Sequence, residues 1–249
     1  MAAKPFTQKL IAAVEKLFIR FVDVVLVTGE MDKEYIEKLY HPKQIIVIRN
    51  IPRRERAENK INFHDRFNIP DSYKILLYQG ILVGGRGILP AIKTVASLEN
   101  AALIIIGYGP EEKNILNYIK NNNLEQKVFL TGAVEHTELI NYTSGADIGL
   151  ALIENISTSY YYALPNKLFE YINAELCVIA SPLPQMKKII DEFKLGYTVE
   201  PDDLESLKEK VTGLISDEKL LNDFKLNSRS AANRLNWQNE FERVKEYFS

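Results

Sequence analysis

The stretch ILLYQGILVGGRGILPAIKTV, residues 75–95, runs from an apolar segment through a glycine-rich turn into an amphipathic one. Its first part, 75–80, is short, rich in Leu and Ile, and lacks in/out alternation, as expected of a strand covered on both faces. Runs of the same kind return at ALIIIG (102–107), VFLTG (128–132), IGLAL (148–152), CVIAS (177–181) and YTVE (197–200), with helical stretches between them. This βαβα alternation predicts an α/β fold with a doubly wound parallel sheet, and such sheets bind ligands beyond the carboxyl ends of their strands. The loops after these runs are therefore where chemistry is expected.

Two of those loops carry polar signals. In ILVGGRGILPAIKTV, glycines 84, 85 and 87 surround Arg86 directly before a helix. Backbone amides there can approach an anion, the helix start adds partial positive charge, and Arg86 adds a full one. The segment matches neither the P-loop nor the dinucleotide fingerprint, so a plain Gly-Gly turn is the competing reading. The glycines of GYGP (107–110) read as geometry first. In YYYALPNKLFEY (160–171), Pro165 suits a helix's first turn, and Asn166, Lys167 and Glu170 share one face while Leu168 and Ile172 take the other. A lysine at a helix start opposes the dipole unless a bound phosphate recruits both, and a carboxylate one turn on can accept from sugar hydroxyls. Phosphate above and ribose below describe a nucleotide. An ordinary surface Lys–Glu pair is the alternative.

Composition narrows the classes. The chain has 249 residues, 46% of them hydrophobic, enough for a full core. Its 31 basic and 33 acidic residues nearly cancel, so no field steers it toward nucleic acid. The lone cysteine, Cys177, sits in an apolar run and reads as a buried inert thiol. Near the amino terminus, Phe6, Leu10, Ala13, Leu17 and Phe21 recur at helical spacing, while Lys9, Glu15, Lys16 and Arg20 interrupt any membrane span. An amphipathic helix docked on its own protein is expected, with peripheral membrane association through its basic face as the alternative. Strand-like VVLV (24–27), a helical stretch 33–40 and IIVI (45–48) follow, then a charged linker with a short helix around 63–67.

Taken in order, YQGILVGGRGI, IIIGYGPEEKNIL, VFLTGAVEHTELINYTSGADIGLAL, LPNKLFEYINAELCVIAS and LGYTVEPDDLESL resemble the GT-B glycosyltransferases of the retaining, family-four type over nearly the whole chain. Trp237 resembles the family's tryptophan that opens a carboxyl-terminal helix. The resemblance implies a Rossmann-like donor domain over 73–232, a 53–72 linker, a 1–52 remnant of the acceptor-side domain, and a helix in 233–249 crossing back toward it. It also implies site residues: Arg86, Gly87, Lys167 and Asn166 at a diphosphate, Glu170 at the ribose, and Ala133 and Val134 lining the base. Tyr162 stands near the donor sugar, where the family often has a glutamate. Ile81 occupies a position where many members carry arginine, and Glu175-Leu176-Cys177 replaces the usual Gly-x-Pro.

The function implied is transfer of a sugar, of hexosyl type, from a nucleoside-diphosphate sugar to a glycan or lipid-linked acceptor. The reaction would proceed with retention and without metal or other cofactor, since the chain has no Asp-x-Asp spacing. The expected partners are the nucleotide sugar and a chain supplying the rest of the acceptor-side domain. The expected location is the cytoplasm, at the inner membrane face. His41, His64 and His136 read as structural or solvated. A non-catalytic nucleotide-binding module, or one subunit of a split enzyme, is the competing reading, and a sugar-nucleotide epimerase is disfavoured by PNKLFEY.

Overall fold

The computed structural model describes residues 5–248, with side chains from Leu10 onward. It divides into two compact units, one comprising the chain up to Asn50 with residues from Glu240 onward, the other Ile51–Asn239.

The smaller unit contains α1 (Pro5–Phe18), a 3-10 turn (Ile19–Phe21), β1 (Val25–Val27), α2 (Glu30–Tyr40) and β2 (Ile45–Val47). The two strands pair in parallel, Val25 opposite Ile45. α2 ends where His41 enters the left-handed region at φ 47°, donating its backbone N–H to Glu37. The docked first helix is not observed: Leu10, Leu17 and Phe18 of α1 are 57%, 56% and 61% exposed. A two-stranded sheet with only Ile46 and Val47 buried offers little surface to cover such a stripe. The Phe6 side chain lies outside the described residues.

In the larger unit α3 (Phe63–Phe67) precedes β3 (Lys74–Gln79), α4 (Ile88–Ala96), β4 (Ala101–Ile106), α5 (Glu112–Asn121), β5 (Val128–Gly132), α6 (His136–Thr143) and β6 (Ile148–Ala151). Then come α7 (Thr158–Tyr161), α8 (Asn166–Asn173), β7 (Cys177–Ala180), α9 (Pro184–Phe193), β8 (Gly196–Thr198), α10 (Leu204–Ser216) and α11 (Glu218–Ala232). α12 (Trp237–Glu242) follows. Six parallel strands lie in the order β5-β4-β3-β6-β7-β8. The chain winds outward from β3 to β5 and then returns to β6, so the topological switch falls between β3 and β6. All six apolar runs expected as strands are strands.

Their uniform apolarity has a direct cause. Ile75, Leu77, Ile104 and Val178 point into one buried layer with Leu168, Ile172 and Ile190, from α8 and α9. The intervening Leu76, Tyr78, Ile105 and Ile179 point into another with Ile92, Ile115 and Val211, from α4, α5 and α10. Both faces are covered, so neither can be polar. Residues 53–72 fold with this unit: Phe63 is fully buried, and Asn62 caps α3 by accepting from the His64 and Asp65 amides.

Candidate functional site

The loops leaving β3, β4 and β5 meet at the carboxyl edge of the sheet. Gly107 donates its N–H to the Gly132 carbonyl at 2.9 Å, and a Cβ on it would stand 1.9 Å from the Gly80 carbonyl oxygen. At φ +143° only glycine is accommodated, so the GYGP glycines serve geometry, as read. Beside this junction lies a cavity of about 210 Å³. Ala133, Val134 and Glu170 line it together with Gln79, Ile81 and Tyr108.

Glu170 is held from the sheet. Gln79, the last residue of β3, donates its side-chain N–H to Glu170 Oε2 at 2.5 Å and accepts at Oε1 from the Thr143 hydroxyl at 2.8 Å. Its backbone N–H goes to the Tyr171 hydroxyl at 3.0 Å, fixing the strand end. Burial raises the Glu170 carboxyl above its ordinary value, opposed by the Gln79 hydrogen bond and by the charges of Lys167 and His136.

One turn earlier, Lys167 is 8% exposed, with its ammonium 3.8 Å from the centroid of the Tyr78 ring. A Cβ on Gly80 would be 3.4 Å from both Lys167 Cε and Nζ, so the side chain lies along the loop after β3. Lys167 has no hydrogen bond or ion pair among the described residues. Burial, and then the Arg86 charge, push its pKa down to about 7 against the pull of Glu170.

Arg86 rides on a braced loop. Gly87 caps α4 at φ +68°, and a Cβ there would lie 2.3 Å from the Leu152 carbonyl oxygen, which excludes any other residue without movement. The Gly85 carbonyl accepts from the Glu154 amide at 3.0 Å, and Arg86 stacks on the Tyr160 ring at 4.6 Å. The charge of Arg86 is felt at both Lys167 and Tyr78, so the two cations belong to one locus.

Asn166, the exposed first residue of α8, makes no side-chain hydrogen bond among the described residues. Pro165 takes the capping position rather than the first turn, at ψ 144°. The Tyr162 carbonyl accepts from Gln185 at 2.6 Å, and its ring is 5.7 Å from that of Tyr161. Glu175, at the position where the resemblance implies glycine, adopts the left-handed φ of +65°, and Arg54 binds its carboxylate at 2.6 Å. Cys177 is fully buried, which pushes its thiol up to about 12.

Sequence reasoning missed Gln79, Thr143, Tyr78 and Tyr160, which support the expected residues. It also set aside His136, which lines a small recess with Glu170 and Thr143. A polar Gln79 closing an otherwise apolar strand was the one available signal. Among the described residues no three His, Cys, Asp or Glu side chains gather as a metal set, and no helix is long and apolar enough to cross a membrane.

Comparison with known proteins locates this arrangement. The Escherichia coli O-antigen biosynthesis glycosyltransferase WclY is 25% identical over 187 residues, covering 72% of this chain and 49% of its own length. The chain thus spans about half of that curated relative. Sucrose-phosphate synthase from Thermosynechococcus elongatus superposes with a TM-score of 0.77 at 20% identity, over 99% of this chain and 63% of that one. HepE from Anabaena, solved in complex with UDP, gives 0.78 at 13% identity, over 100% and 69%. These structures share the GT-B fold. The family described as glycosyl transferases group 1 matches residues 59–231, the span that holds every strand of the large sheet, and the chain belongs to that family.

Proposed function

We propose that the chain is the donor-binding part of a glycosyltransferase that moves a hexosyl group from a nucleoside-diphosphate sugar to a glycan or lipid-linked acceptor. The carrying observation is that Lys167, under the charge of Arg86, lies along Gly80 in the wall of a cavity that Glu170, Ala133 and Val134 also line. HepE, of the same fold, is seen with UDP, which favours a nucleotide in the corresponding position. In this reading the base lies against Ala133 and Val134, and Glu170 accepts from the ribose hydroxyls. Arg86, Lys167 and the amides at the starts of α4 and α8 neutralise the diphosphate, with Asn166 at its edge and Tyr162 toward the sugar.

Charge on the departing diphosphate is the quantity such a site must stabilise. As the anomeric C–O bond to the diphosphate breaks, a bond to the acceptor oxygen forms on the same face. The acceptor proton passes to the leaving phosphate. Retention and independence of metal rest on the family resemblance. The acceptor-binding residues are proposed to lie outside these 249 residues, in the same or a partner polypeptide, with the assembly at the cytoplasmic membrane face.

The test is calorimetric titration with UDP, GDP, ADP and uridine. One diphosphate binds selectively, and Lys167→Ala or Arg86→Ala lowers its affinity about tenfold, the loss of one charge-assisted contact. Nucleoside binding changes little. Equal losses for diphosphate and nucleoside would remove both residues from the phosphate site, and absence of any nucleotide binding would favour a non-catalytic module.

A further inference from the structure

A larger cavity, about 620 Å³, lies elsewhere. Residues 54–60, the turn before β6, the turn from α8 into β7, and α11 form its walls, so it opens at the amino edge of the sheet. α8 separates it from the donor site: Lys167 stands in that helix's first turn, and Asn173, its last residue, lines this second cavity.

Cations dominate the lining. Lys225 and Arg229 are four apart on α11 and share a face, and Arg54, Arg56 and Lys60 come from the segment before α3. Two of them have structural employment. Arg54 binds the Asn173 carbonyl at 2.8 Å and Glu175 at 2.6 Å, and Lys225 pairs with Asp147 at 3.1 Å. The other three are less fully engaged, and Glu55 and Glu175 are the carboxylates of the same lining. Arg56 and Lys60 have no hydrogen bond or ion pair among the described residues, and Arg229 reaches Glu175 only at 3.9 Å. Partial desolvation, then the neighbouring Lys225 charge, press the Lys60 pKa below its ordinary value against the opposing pull of Asp147 and Glu175.

Concentrating like charges around a concave surface costs free energy that a bound anion would recover. A single carboxylate leaves cations over, and its planar edge meets one guanidinium at a time. Tetrahedral phosphate offers acceptors in divergent directions, suited to two guanidinium forks and an ammonium. We propose that this cavity is a second ligand site, for a small soluble anion bearing two or more phosphate charges.

The experiment uses the full chain with Arg86→Ala and Lys167→Ala, which silence the proposed donor site, titrated with inorganic pyrophosphate. One binding event is expected. Lys60→Ala and, separately, Arg56→Ala should each weaken it about tenfold, as loss of one charge-assisted contact predicts. Both side chains are exposed, and unchanged circular dichroism verifies folding. Absence of binding in that background, or binding indifferent to both cavity substitutions, overturns the proposal. Phosphatidylglycerol vesicles should leave the chain in the supernatant on sedimentation. Lys60-dependent pelleting without pyrophosphate binding would assign the site to a lipid headgroup and overturn the soluble ligand. Because the donor site is silenced throughout, failure of the donor reading leaves this result intact.

Discussion

The Lys167 ammonium lies 3.8 Å from the centroid of the Tyr78 ring, a cation seated on the aromatic side chain of the adjoining strand. The ring face compensates part of the desolvation, yet the pKa of the group still falls from 10.5 to about 7. Lys167 is therefore charged at pH 6 and largely neutral at pH 8. A diphosphate stabilises the ammonium, so binding at pH 8 takes up a proton and affinity falls as pH rises from 6 to 8. Calorimetry in buffers of different ionisation heat reads that uptake, and Lys167→Met removes it.

Stability moves the opposite way. Between about 7 and the ordinary lysine value, the unfolded chain holds a proton that folded Lys167 has released. The unfolded state binds more protons there, so stability rises with pH across that window. Lys167→Met should raise the melting temperature most at pH 6, while weakening diphosphate binding. A variant destabilised at every pH would show that the ammonium is satisfied in the free protein.

Glu170 gives the complementary case. Burial raises its carboxyl, so the folded state keeps a proton that the unfolded chain loses just above its ordinary value. Its contribution to stability therefore declines as pH rises through that range. Glu170→Gln should melt higher at neutral pH. The same variant should lose the preference for ribonucleotides over 2′-deoxy analogues, since a hydrogen bond to a charged group is worth about 1.5–3 kcal/mol. An unchanged preference would detach Glu170 from the ribose.

The sequence was legible where each residue's environment is set locally. The four inner strands, β3, β4, β6 and β7, are buried on both faces and so almost continuously apolar, and Asn62 announces α3 through its cap. Arg86, Lys167 and Glu170 were visible because polar side chains near helix starts are conspicuous. Gln79 and Thr143 were not, because their roles depend on a contact between residues 64 apart in the chain. The exposed α1 stripe was misread for a related reason: periodicity shows that a helix has an apolar face, and says nothing of what covers it.

In the smaller unit, Glu240 is 1% exposed and binds Arg49 three ways: the backbone amide at 2.8 Å, Nε at 3.0 Å and Nη2 at 2.6 Å. Burial alone would raise this carboxyl, and the Arg49 bonds outweigh it and hold it below its ordinary value. The stability it contributes is complete above the ordinary carboxylate range and is lost as pH falls through the folded value. Arg49→Ala removes the guanidinium and leaves the buried carboxylate with the backbone amide of residue 49 and Arg243, at a cost of about 3 kcal/mol. Glu240→Ala should accelerate hydrogen exchange at the Arg49 amide, and unaltered exchange would show that the ion pair does not hold this segment.

Thr94, in the last turn of α4, is 3% exposed, and its hydroxyl has no hydrogen-bond partner among the described residues. A buried hydroxyl without a partner forfeits its hydration and gains nothing in return. Valine has the same branched shape, so Thr94→Val leaves helix packing and rotamer preference unchanged while removing the orphaned group. Denaturant unfolding should show a gain of about 1 kcal/mol. A loss of similar size would mean instead that the hydroxyl bonds back to the carbonyl one turn earlier, the usual arrangement for a threonine inside a helix.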